Sequence, residues 1–156
     1  MNVLLDPHEQ KHRMEVLFVC WGNINRSQIA VAIFNKLSTQ NHALSAGISP
    51  RRQGVLVKNE HNNPLVPMRK AGYDLSKSRV QRLTKRMADS ASKVILILDR
   101  KHRSEIPVFL KERRDLEIWE IGRIRDDISF DEYCGLEQMR IKRIEKRVRN
   151  LVERIG

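Results

Sequence analysis

Cysteine is scarce: the 156 residues hold two. That excludes a disulfide-stapled scaffold and a zinc site built from cysteine alone. Aromatic residues are scarce as well, at 5%, and no aromatic-rich RNA-binding motif is present. No stretch approaches the roughly 20 consecutive apolar residues of a membrane helix. The first fourteen residues, MNVLLDPHEQKHRM, lack the long apolar run of a secretory leader. A soluble protein of the reducing cytoplasm, with no membrane partner, is the expectation. Negative charge is also in deficit. Thirty Lys and Arg against nineteen Asp and Glu leave a net charge of +11, a balance that attracts acidic or phosphorylated partners.

What is present is a foldable chain. Apolar residues make up 40%, too many for a disordered polymer. At roughly 150 residues per domain, the length fits one domain. We expect an N-terminal extension over 1–14 and one domain over 15–156. Glu15 to Cys20 (EVLFVC) is a short apolar, β-branched run, as a strand buried on both faces requires. Trp21 to Asn25 breaks that pattern. Ile29, Ala30, Ile33, Phe34 and Leu37 then repeat at helical spacing within 26–37. A second strand is expected over 42–46, ended by Gly47, followed by loop over 49–63. A helix over 64–71 stops at Gly72. Lys93 to Leu98 (KVILIL) is a second buried strand, 99–114 a charged helix, and 116–121 a weaker strand. The closing helix, 131–155, carries Leu136, Ile144, Val148, Leu151, Val152 and Ile155 at helical spacing. Alternation of strands and helices predicts an α/β fold. It is a single three-layer domain, with a central parallel sheet of about four strands flanked by helices.

In such sheets ligands bind beyond the carboxyl ends of the strands, where Cys20 falls. Five residues separate Cys20 from Arg26, and Ser27 follows. A loop opening a helix turns several backbone N–H groups inward, and the helix dipole adds to them, forming an anion cradle. A cysteine facing that cradle is favoured as thiolate, the nucleophilic form. Arg26 has a planar fork that grips two phosphate oxygens. Gly22 tolerates close approach of a ligand. Ser27 is placed to hydrogen-bond the thiolate.

Val16 to Ser27 (VLFVCWGNINRS) resembles the phosphate-binding loop of the low-molecular-weight protein tyrosine phosphatases, which typically read V-L-F-V-C-x-G-N-I-C-R-S. Leu44-Ser-Ala-Gly47, Ala71-Gly-Tyr-Asp-Leu-Ser76, Leu83-Thr84 and Val94 to Asp99 are similar to later family stretches. The resemblance implies that Cys20 forms a cysteinyl-phosphate on a phosphorylated protein or small phosphate ester. It implies that Arg26 and the backbone N–H groups of Trp21, Gly22, Asn23, Ile24, Asn25, Arg26 and Ser27 hold the phosphate oxygens. No metal and no cofactor is required. Asn23 would brace the loop and Ser45 would bond to it. The general acid would be Asp126, in Ile124-Arg-Asp-Asp-Ile128, where the family has Asp-Pro.

The departures matter. Asp127 replaces the proline and is a rival acid. Ile128 and Ser129 stand where many members carry an aromatic wall, and Trp21 is either a substitute wall or a packing residue at the loop rim. Ser78 stands where the family has a supporting histidine. Asn25 replaces a second loop cysteine, and Cys134 reads as structural. Thioredoxin-linked arsenate reductases resemble the chain around Cys20 too, but they need relay cysteines, expected between Gly72 and Asp99, where none occurs. Protein arginine phosphatases typically carry Thr where this chain has Ile24. A catalytically weak relative that only docks phosphoproteins is another alternative. Nucleic acid is the rival partner, because Arg140, Lys142, Arg143, Lys146, Arg147, Arg149 and Arg154 crowd the last helix. Arg51 and Arg52, near the expected mouth of the site, point to acidic substrates.

Overall fold

The computed structural model describes residues 13–156. Most of the expected extension over 1–14 therefore lies outside the described residues. Four strands form one sheet: β1 (Glu15–Cys20), β2 (His42–Gly47), β3 (Lys93–Leu98) and β4 (Glu117–Glu120). All pairings are parallel and the order is β2-β1-β3-β4. The helices are α1 (Arg26–Leu37), α2 (Leu65–Lys70), α3 (Lys85–Ser90), α4 (Val108–Lys111) and α5 (Phe130–Ile155). Among the described residues, no helix is long and apolar enough to cross a membrane.

The continuous apolar runs of β1 and β3 exist because both sheet faces are covered. Val16 and Phe18 of β1 join Ile95 and Ile97 of β3 under α1 and α5. Leu17 and Val19 join Val94, Leu96 and Leu98 on the opposite face, against α3 and α4. This is the period-two alternation of a strand sandwiched between two helical layers. From β1 the chain runs to β2 on one side, then crosses to β3 on the other. The carboxyl end of β1 is therefore the switch point where such sheets open a crevice.

Two segments differ from the sequence expectation. The stretch 99–114 is not one helix. It is a 3-10 turn (Arg100–Glu105) and the short α4, split at Pro107. Proline has no N–H to donate and drives its predecessor out of the helical region; Ile106 is extended, with φ −67° and ψ 127°. The six-residue α3 was not expected. It is too short for periodicity, and its one local signal is Thr84, whose side chain accepts from the Met87 N–H at 3.1 Å. In α5, Leu136 is exposed rather than core. The buried stripe runs instead through Tyr133, Glu137, Arg140, Ile141, Ile144, Val148 and Leu151.

Candidate functional site

The loop from Trp21 to Asn25 joins β1 to α1 at the switch point. Asn23 at its centre has φ 56°, a left-handed conformation that asparagine tolerates better than most residues. Its N–H donates to Cys20 Sγ at 3.3 Å. Ser27 Oγ lies 2.9 Å from the same sulfur. Below the loop, the buried Asn23 side chain ties everything together. Its Nδ2 donates to Ser27 Oγ (2.8 Å) and Ser45 Oγ (3.0 Å). Its Oδ1 accepts from Gln28 Nε2 (3.0 Å) and the Gln81 N–H (2.8 Å). Gln28 Nε2 also reaches the Asn23 and Arg79 carbonyls. Ser78, which stands where the family has a supporting histidine, offers only backbone bonds, and Gln28 and the Gln81 N–H hold Asn23 instead.

Helix α1 begins at Arg26, with no acidic residue in its first turn and no side-chain cap from Asn25. Its first N–H groups have no intrahelical acceptor and suit an anion. Arg26 is 6% exposed. Its Nη1 donates to the Ile121 carbonyl at 2.8 Å and lies 3.9 Å from Asp99 Oδ2. Burial holds the guanidinium below its ordinary pKa, Arg140 pushes the same way, and Cys20 and Asp99 oppose them. It stays a cation throughout the range of enzyme activity.

A cavity of about 700 Å³ opens over this loop. Cys20, Trp21, Gly22, Ile24, Asn25 and Arg26 line it, and so does Asp126 from the loop after β4. Asn23, Ser27 and Ser45 lie beneath it as buried supports. Trp21 is stacked on the His102 ring at 4.6 Å between centroids. Asp126 is exposed; its Oδ1 accepts from Asn62 Nδ2 at 2.6 Å, and Arg123 stands 3.7 Å from its Oδ2. Asp127 does not line this cavity and is held by Arg125 at 2.8 and 2.6 Å. That hydrogen bonding keeps its carboxyl below the ordinary range. Arg51 and Arg52 both line the cavity, but Arg52 is already bound to Glu60 at 2.5 Å.

Sequence reasoning missed the group that joins the loop to α5. Asn25 Nδ2 donates to the Asn62 carbonyl (2.6 Å) and Tyr133 Oη (2.8 Å). The Tyr133 hydroxyl contacts Glu137 Oε2 at 2.6 Å and the Asn62 carbonyl. Burial, with Glu137 beside it, pushes the Tyr133 phenol above its ordinary pKa, so it remains a hydroxyl. Glu137, at 0% exposure, accepts from Arg140 Nε and Nη2, both at 2.8 Å. Arg140 also donates to the Gly122 carbonyl at 3.2 Å and lines the cavity.

Arg140 is therefore not part of an exposed basic face. Of its basic neighbours, Arg149 meets Glu145 at 3.6 Å, Arg154 meets Glu117 at 3.2 Å, and Arg147 lies over the Trp119 ring. Lys142, Arg143 and Lys146 remain on the exposed face, with no ion-pair partner among the described residues.

The close approach inside this site is at Gly47, at the end of β2. A Cβ there would sit 2.9 Å from both Asn23 N and Gly22 C, which are backbone atoms of the loop. At Gly22 it would meet only Ile24 Cδ1, at 4.0 Å. Gly47→Ala is expected to displace the loop and cost about 1–3 kcal/mol, as overpacking does. Urea unfolding measures the loss, with weaker vanadate binding as its companion; unchanged values for both would contradict the packing described.

A low molecular weight protein tyrosine phosphatase from T. tengcongensis is 24% identical with a TM-score of 0.70, over 90% of this chain and 99% of its own. An arginine phosphatase from Geobacillus stearothermophilus is 18% identical with a TM-score of 0.69, over 90% and 92%. An arsenate reductase from Archaeoglobus fulgidus is 21% identical with a TM-score of 0.66, over 88% and 98%. These likenesses show the fold, which carries more than one chemistry. No curated protein sequence matched the chain. The family model for low molecular weight phosphotyrosine protein phosphatases matches residues 15–156. Fold, loop and family match agree: the chain belongs to the low molecular weight phosphotyrosine protein phosphatases, cysteine-dependent and metal-independent enzymes.

Proposed function

We propose that the chain hydrolyses phosphate monoesters of proteins, phosphotyrosine foremost, with Cys20 as nucleophile, Arg26 as phosphate clamp and Asp126 as general acid. The observation that carries this is the meeting of Cys20, Arg26 and Asp126 on one cavity at the open end of a helix. The Cys20 thiolate attacks phosphorus, forming an S–P bond as the ester P–O bond breaks. Asp126 delivers its proton to the departing oxygen. Water then attacks the cysteinyl-phosphate, the S–P bond breaks, and Asp126 takes the water's proton as inorganic phosphate leaves. The covalent intermediate divides one hard displacement into two easier ones. Arg26 and the loop N–H groups stabilise the charge on the equatorial oxygens. Ser27 and the Asn23 N–H, both on the sulfur, stabilise the thiolate as it leaves.

Two details favour Asp126 over Asp127 as the acid. Asp126 lines the cavity, and Asn62 binds only one of its oxygens. Asp127 is fully engaged as an ion with Arg125. A nucleophilic thiol also suits a reducing compartment, and we place the protein in the cytoplasm. Arsenate reduction finds no support, since no cysteine lies between Gly72 and Asp99 to relay a disulfide.

The test is hydrolysis of p-nitrophenyl and alkyl phosphates with chelator and reductant present. Asp126→Asn is expected to lose about 10²- to 10⁴-fold on the alkyl ester. It should lose less on p-nitrophenyl phosphate, whose leaving group needs little protonation. Asp127→Asn is expected to change either rate only a few-fold. A larger loss in Asp127→Asn than in Asp126→Asn would move the acid role to Asp127.

A further inference from the structure

A second cavity, of about 440 Å³, lies beside the catalytic one. Glu60, His61, Asn62, Asp126 and Tyr133 line both. The shared wall is the bridge from Asn62 Nδ2 to Asp126 Oδ1, one side chain from each of two loops. The linings differ in balance. Five arginines line the first cavity around Cys20, whereas the second has Lys58 and Arg125 and adds the apolar Leu65, Val66, Ile128 and Phe130. Val66 is 42% exposed and Phe130 65%. Apolar area left in water forgoes about 25 cal/mol per Å², and grouped exposed apolar side chains mark a binding surface.

Both sides of this surface are fixed by the fold. Leu65 and Val66 open α2, where Asn63 Oδ1 accepts from the Leu65 N–H at 3.0 Å. Phe130 opens α5, where Ser129 Oγ accepts from the Glu132 N–H at 3.1 Å. Ile128, expected at a ring-clasping position, lines the second cavity and not the first. The apolar surface has thus moved one cavity away from the nucleophile.

We propose that the second cavity is a substrate subsite for an apolar side chain flanking the phosphorylated residue of a peptide. The inference rests on the phosphatase reading above. A substrate peptide is the fitting occupant because the two cavities share five lining residues and are parted by that one side-chain contact. An extended chain advances about 3.3 Å per residue, so a neighbouring side chain crosses that wall while the phosphate sits over Cys20. A small ester does not reach it.

Matched phosphotyrosine peptides, differing only by Leu or Ser at each flanking position, supply the test, with p-nitrophenyl phosphate run beside them. At one flank the Leu peptide is expected to gain about 10- to 100-fold in kcat/KM. Phe130→Ser should collapse that ratio. Equal kcat/KM for the Leu and Ser peptides, with p-nitrophenyl phosphate turned over, overturns the subsite and leaves the phosphatase reading standing. A ratio that survives Phe130→Ser also overturns it. So does a dimer that Phe130→Ser breaks in the absence of any peptide preference, since a second copy would then be the occupant. No turnover of any substrate overturns the phosphatase reading, and the subsite with it.

Discussion

Cys20→Ser is expected to reduce turnover of p-nitrophenyl phosphate by at least about 10⁴-fold, the scale on which loss of a nucleophile registers. Phosphate and vanadate binding should survive. The proposed cradle is Arg26 and the loop N–H groups, and the loop is braced by Asn23 through Ser27, Ser45, Gln28 and Gln81. None of those four braces requires the sulfur. Ser and Cys differ by one atom, so the fold should hold as well. Equilibrium binding and the urea midpoint, measured beside the rate, separate a chemical loss from a structural one. Turnover within tenfold of wild type would remove Cys20 from the mechanism.

Glu137→Gln is expected to lower stability by about 3–5 kcal/mol, the cost of leaving one charge of a buried pair uncompensated. Glu137 has no exposure, and its two oxygens serve Arg140 and Tyr133. Without it the Arg140 charge stands unpaired beside Arg26, whose guanidinium already feels it. Replacing the pair together, by Glu137→Leu with Arg140→Met, should recover most of the stability. The urea midpoint at constant slope measures both variants. A loss under 1 kcal/mol in Glu137→Gln would mean that water reaches the pair. The same substitution loosens the Tyr133 hold on Asn25, so kcat/KM should fall even where the protein is fully folded.

The parts of the fold that were legible are those dictated by local periodicity. β1 and β3 are buried on both faces, which demands a continuous apolar run. α1 buries one stripe, which demands helical spacing. Between β1 and α1 the change of pattern located the loop that runs from Cys20 to Arg26. Short elements were not legible: α3 has six residues, and the 3-10 turn and α4 share a charged stretch with Pro107 inside.

The supports beyond Asn23 and Ser45 were hidden for another reason. Asn25 meets Tyr133 across 108 positions, and Asn62 meets Asp126 across 64. No local pattern encodes such meetings. One signal did exist. Glu137 and Arg140 fall in phase with the buried stripe of Tyr133, Ile141, Ile144, Val148 and Leu151. Charged residues on an apolar stripe imply a buried pair rather than an exposed basic face.

The central claim is a covalent phosphoryl group on Cys20. Rapid quench of the enzyme with p-nitrophenyl phosphate, followed by mass spectrometry of the peptide holding Cys20, tests it most directly. The account predicts a burst of p-nitrophenol stoichiometric with enzyme when breakdown of the intermediate limits turnover, and one phosphoryl group on that peptide, absent in Cys20→Ser. Turnover with no phosphorylated Cys20 peptide under any quench condition would contradict it.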